Sequence, residues 1–157
     1  MYLKYGQWLA EQRETAPFFE EKIILRQTSD SLIGNLDLTK SLNLNNVYNI
    51  GQINQYYDIK YILGLLNSRL MNYLYQNISQ EKGRLFAEVK KVYLEKLPII
   101  NADASQQKII SLLVDKILHA KEFGDDESMQ DIEKEIDQLV YQLYGLTEEE
   151  IKIVEEK

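Results

Sequence analysis

The sequence predicts an α+β fold: a small mixed or antiparallel sheet with packed helices, followed by a C-terminal helical hairpin and a short terminal helix. Three observations predict it. Strand-like runs separated by turn residues are confined to 22–53. From residue 58 onward, apolar residues recur at helical spacing. Charge changes near residue 100: residues 1–100 carry 12 Lys/Arg and 10 Asp/Glu, a net of +2, whereas 101–157 carry 6 and 15, a net of −9. A boundary at Pro98–Asp103 follows. It separates a module over 1–100 from a helical extension over 101–157, with a hairpin at about 104–144 and a terminal helix at about 147–156.

Each element has its own reason. Lys22-Ile23-Ile24-Leu25-Arg26-Gln27 is β-branched and half alternating. Ser31 to Leu38 puts Leu32, Leu36 and Leu38 on one face and Asn35 and Asp37 on the other. Thr28-Ser29-Asp30 between them is turn chemistry, because these side chains bond nearby backbone, and a hairpin results. A third strand is predicted at Val47–Ile53 after the turn-rich Asn43–Asn46. Asp58 to Asn77 reads as one helix with Asp58 as N-cap and a stripe of Ile59, Ile62, Leu63, Leu66, Leu70, Tyr73 and Leu74. Gly64 within it costs about 1 kcal/mol relative to Ala, which points to a close packing contact.

The extension is predicted to be helical throughout. Asp103 and Gln106 form a capping box, followed by a stripe of Ile109, Leu112, Leu113, Lys116 and Ile117. Phe123 to Glu127 is the turn. Met129, Ile132, Ile136, Leu139 and Leu143 then step like a heptad seam, which two antiparallel helices bury against each other. Gly145 suits a left-handed C-terminal position. Thr147 and Glu150 make a second capping box, stapled by Leu146 and Ile151.

Composition excludes several chemistries. The chain has 157 residues, enough to bury a core without staples. With no Cys it has no disulfide, thiolate zinc site or Cys nucleophile. His119 is its one His and reads as a surface residue near a helix end. The seven Gly are isolated, so there is no dinucleotide fingerprint, P-loop or methyl-donor loop. Glu20-Glu21-Lys22 and Glu150-Ile151-Lys152 contain the E-x-K half of a nuclease site, but neither has a preceding Pro-Asp partner. No N-P-P-Y stretch is present. No apolar run is long enough for a membrane span, and Met1 to Gly6 lacks a signal-peptide apolar region, so the expected location is cytoplasmic.

A DNA reader needs cations for phosphates and Arg, Asn or Gln for base edges. Residues 1–100 supply Lys22, Arg26, Gln27, Thr28, Asn45, Asn46, Lys82, Arg84, Lys90 and Lys91, with Arg26-Gln27 entering the hairpin turn, where either residue equally suits fastening the loops. Tyr48 is a candidate for stacking on a base, or else caps the core with its hydroxyl in water. Lys90-Lys91 is equally compatible with a solvated helix face.

Ordered stretches strengthen the DNA reading. They are Phe19 to Asp30, Asn46 to Ile50, Tyr61 to Leu70, Gly83 to Phe86, Leu94 to Ile99 and Glu135 to Glu150. In this order and spacing the chain resembles the C-terminal target-recognition (specificity) domain of TaqI-like adenine-specific DNA methyltransferases, a module also found in fused type II restriction-modification enzymes. The resemblance implies sequence-specific binding of double-stranded DNA. It implies no catalytic residue, metal or cofactor in this chain. A methyltransferase domain upstream in the same polypeptide would use S-adenosylmethionine and act on a flipped adenine. The alternative reading is a helical protein-interaction or dimerisation module, with a homodimer through the C-terminal helices.

Overall fold

The computed structural model describes residues 21–39, 41, 43, 46–51 and 54–156. Glu20, Asn45, the end of the predicted third strand at Ile53 and the Met1–Gly6 segment lie outside the described residues. Lys22–Arg26 (β1) is the central strand of a three-stranded sheet. Gly34–Asp37 (β2) and Val47–Ile50 (β3) flank it, both antiparallel. Alternation sorts the side chains by face. Ile23, Leu25 and Leu36 are buried against the helices, and the other face carries Ile24, Arg26, Asn35 and Asn49.

The helices close the edge of this sheet. Ile59–Asn67 (α1) starts at Asp58, whose carboxylate accepts the Lys60 amide at 2.8 Å, as the sequence predicts. The outer edge of β2 would present unpaired amides. Asn67 accepts the Gly34 N–H at 2.8 Å and donates to the Gly34 carbonyl at 3.1 Å. Asn72 accepts the Leu32 N–H at 2.7 Å. Two helix side chains thus stand in for a fourth strand. This demands close approach: a Cβ on Gly34 would lie 2.9 Å from the Leu63 Cδ1.

The single helix predicted over 58–77 is two helices. Arg69–Ser79 (α2) begins after Ser68, which is extended and serves α1 as C-cap and α2 as N-cap. The Ser68 hydroxyl donates to the Leu65 carbonyl at 2.7 Å and accepts the Met71 amide at 3.3 Å. Asp137, 68 residues away, accepts the Arg69 amide at 2.8 Å. The apolar spacing runs through the break unaltered, so periodicity could not reveal it.

A one-turn helix, Lys91–Leu94 (α3), precedes a linker pinned by tyrosines. The buried Tyr61 donates to the Ile100 carbonyl at 2.9 Å, and burial pushes its hydroxyl up to about 12. Tyr144 donates to the Pro98 carbonyl at 2.6 Å. Then come Ala104–Phe123 (α4), Asp126–Tyr144 (α5) and Glu148–Glu155 (α6). Both predicted capping boxes, Asp103/Gln106 and Thr147/Glu150, are formed. Glu150 of the E-x-K match is therefore committed to a helix cap. Gly124 and Gly145 take left-handed conformations at φ 69° and 66°.

The heptad seam is used inside the chain. Ile136 is buried, and Ile132, Leu139 and Leu143 pack on the core. The predicted face of α4 needs correction: Ile109 and Leu112 stay 49% and 48% exposed, whereas Ile110, Leu113 and Val114 are buried. Gly64 sets that rotation. A Cβ there would lie 2.6 Å from the Ile110 Cγ2 and 3.3 Å from the Val114 Cγ2. Backbone of α1 and side chains of α4 therefore touch directly, which explains the helix-weakening glycine. Among the described residues, no helix is long and apolar enough to cross a membrane.

Candidate nucleic-acid interface

The predicted site residues gather at one end of the sheet, with informative exceptions. Arg26 closes β1 and is exposed, with no ion pair among the described residues. Its register partner is Val47, so β3 begins beside it. Gln27 follows and is a backbone junction. Its N–H donates to the Asn46 carbonyl at 3.1 Å, and its carbonyl accepts the Val89 N–H at 2.7 Å. One residue thereby fixes three segments: the β1–β2 loop, the start of β3 and the loop over 80–90. Thr28 and Asn46 are exposed there.

Arg26, Thr28 and Asn46 line an open cleft of about 450 Å³ on the outer face of the sheet. Ile24 and Asn35 form its floor, and Lys121 from the last turns of α4 lies at its side. Cations therefore enter from both the sheet and the helical hairpin. The Asn35 and Asn49 positions flank Ile24 on the two neighbouring strands. The Asn49 amide is held by reciprocal bonds to Asn43, at 2.8 and 3.0 Å. Asn35, Asn49 and Lys121 were not singled out in the sequence. Strand alternation around Ile24 was the available signal for the two Asn; for Lys121, which is distant in sequence, there was none.

The loop over 80–90 supplies the remaining cations. Glu81 is buried, and its Oε1 accepts from Lys90 at 2.8 Å and Arg84 at 3.1 Å. The Lys90 ammonium holds the Glu81 carboxyl below the usual range, and Glu81 in turn raises Lys90. Arg84 and Lys90 remain 61% and 45% exposed, so their outer surfaces still face water. Lys82 is exposed in the same loop. Lys91 lies on α3, 3.4 Å from Glu95. A Gly83 N–H bond to the Asp30 Oδ2 at 3.1 Å brings this loop against the β1–β2 turn.

One predicted contact is corrected, at Lys22, and Tyr48 takes the core-capping alternative. Lys22 is fully buried, with its ammonium on Asp37 at 2.5 Å and on the Ser41 carbonyl at 2.9 Å. The register places Lys22 opposite Asp37, at the far end of β1 from Arg26. Burial opposes the Asp37 charge, but bonds from Lys22, Thr39 and Ser41 outweigh it and hold its carboxyl far below the ordinary range. Tyr48 pairs with Leu25 and therefore shares the buried face, where it packs on the core.

The sequence model of the TaqI-like C-terminal specificity domain family matches residues 1–99, more than half of the chain. The chain belongs to this family. Every loop of the sheet end falls inside the matched span of the TaqI-like specificity domain. No curated sequence matches the chain. Among solved structures, the Type IIL restriction-modification enzyme MmeI, determined in complex with DNA, has a similar fold at a TM-score of 0.63 and 19% identity. That match covers 87% of this chain and 19% of the MmeI chain. It exceeds what 1–99 alone supplies, so the fold likeness of this TaqI-like domain continues into the C-terminal helices.

Proposed function

We propose that this chain reads the DNA target of a restriction-modification adenine methyltransferase and positions the duplex for a catalytic domain of the same polypeptide. The observation that carries the reading is the convergence of Arg26, Thr28, Asn46, Lys82, Arg84 and Lys90 on one end of the sheet of a specificity domain. Arg and Asn can read base edges in the major groove, and the surrounding cations neutralise phosphates. DNA in the MmeI complex supports the same reading. In this proposal Asn45 is a further base-reading candidate, and Lys91 on α3 is a phosphate contact.

The chemistry itself is assigned to the partner domain. Among the described glycines, Gly34 and Gly64 are pressed against Leu63 and Ile110, and Gly83, Gly124 and Gly145 stand singly at turns. In this reading S-adenosylmethionine is held by the catalytic domain of the parent protein, which acts in the cytoplasm. Among the described residues, no group of three or more His, Asp or Glu is placed to hold a metal.

Selection from a randomised duplex pool tests the reading. The chain should enrich a defined sequence, with affinity that falls linearly as salt rises on logarithmic axes. Lys90→Glu combined with Lys91→Glu should weaken binding to every duplex and flatten the slope. Unchanged affinity and slope would remove Lys90 and Lys91 from the interface. Failure to bind duplex even at low salt would overturn the function.

A further inference from the structure

Within the loop over 80–90, the two most exposed large hydrophobic residues among those described are adjacent: Leu85 at 88% and Phe86 at 86%. Single exposed apolar side chains are commonplace, but a contiguous pair held off the core calls for a cause. Nothing about the loop's base is loose. On one side, the Arg84 N–H closes a turn on the Glu81 carbonyl at 3.1 Å, and Gly83 is tied to Asp30. On the other, Val89 is buried with its N–H on Gln27, and the Lys90 N–H donates to the Tyr75 hydroxyl at 2.9 Å. Tyr75 is itself fully buried. One stem is therefore anchored to the β1–β2 turn and the other to Gln27 and α2, and the tip between them stands in water.

The rim identifies the occupant. Residues 81–91 carry four cations, Lys82, Arg84, Lys90 and Lys91, against Glu81 and Glu88. Protein–protein interfaces are depleted in Lys and need roughly 800 Å² per partner, which a two-residue tip does not offer. An apolar tip inside a cationic rim matches what enters a base stack between two phosphate backbones. We propose that Leu85 and Phe86 form a wedge that enters the groove of bound duplex and partly unstacks one base step, with Arg84 and Lys90 on the flanking phosphates. Glu81 is a positioning residue, holding those two cations on either side of the tip. This inference rests on the DNA-reading function proposed above and adds a deformation to it.

The test uses the full chain and duplexes it selects from a randomised pool, with 2-aminopurine placed at successive positions. The wild-type chain should raise the fluorescence at one base step. Leu85→Ala with Phe86→Ala should abolish that rise and weaken binding about tenfold, the effect of losing one base-stacking side chain. The salt slope should stay as in wild type, because the phosphate contacts remain. Thermal melting should also be unchanged, since both side chains are exposed. If wild type and double variant bind equally and no position changes fluorescence, the wedge is overturned while DNA reading stands. If no duplex is enriched and no salt-dependent binding occurs, DNA reading itself fails and the wedge fails with it.

Discussion

At one end of β1, Lys22 is fully buried and spent on Asp37; at the other, Arg26 is exposed and free of ion pairs among the described residues. The same strand thus carries one cation that holds the fold and one that faces outward. Identity of charge does not separate them. Their difference lies in the cross-strand partner: β2 offers Asp37 opposite Lys22, whereas β3 offers Val47 opposite Arg26. A basic residue becomes available to a partner only where its neighbours leave its charge unmatched.

Breaking the buried end should give the largest effect. Asp37→Ala leaves an uncompensated ammonium in the core, with an expected stability loss of about 3–5 kcal/mol by urea denaturation. Arg26→Ala should leave stability within about 0.5 kcal/mol, as for other exposed sites. Equal losses from the two variants would erase the contrast between the strand ends.

The next effect lies in the helical interface. Gly64→Val pushes new atoms into Ile110 and Val114 on α4. Overpacking of this kind costs about 1–3 kcal/mol, read as a lowered Tm, and leaves any DNA contacts of the folded chain intact. A stabilised variant would mean that α1 and α4 are not in contact at Gly64.

Acid should sharpen the comparison further. Asp37 is depressed in the fold, so its contribution is present above the usual carboxylate range and is lost as pH falls toward its lowered value. Asp137 is the reverse. Burial raises it, and the Arg69 amide and charge offset that only in part. The folded chain therefore binds that proton more tightly than the unfolded one, and stability rises as pH falls from neutrality through the raised Asp137 value. Asp137→Asn should flatten that rise in a pH series of melting curves, whereas Asp37→Asn should flatten the loss at lower pH. The smallest effect is Thr147→Ala, which removes the cap of α6 at about 1 kcal/mol by denaturant titration.

Much of this architecture was legible in the sequence because it is local. The strands around Ile23 and Leu36, the caps at Asp58, Asp103 and Thr147, and the turns at Gly124 and Gly145 depend on neighbours within a few residues. Long-range contacts hid the rest. Ser68 breaks a helix with Asp137 taking the freed Arg69 amide, and only the fold brings those residues together. Ile110 rather than Ile109 faces inward because it meets Gly64. Within the candidate site, Arg26, Thr28 and Asn46 were visible as polar turn residues. Lys22 is buried because the register sets it opposite Asp37 at the far end of β1 from Arg26, and Tyr48 joins the core because it pairs with Leu25. Lys121 reaches the cleft only through the course of α4.

The central claim is that the sheet end, with Lys121 of α4 beside it, and not α5, meets DNA. The salt dependence of duplex affinity measures it directly, compared between wild type, Arg26→Ala and Lys134→Ala. Lys134 is an exposed cation on α5 paired with Asp131. Arg26→Ala should reduce the logarithmic slope by about 0.9, one phosphate contact, or weaken binding at selected duplexes if Arg26 reads a base, while Lys134→Ala changes neither. Loss of slope in Lys134→Ala with none in Arg26→Ala would place the interface on α5 and contradict the account.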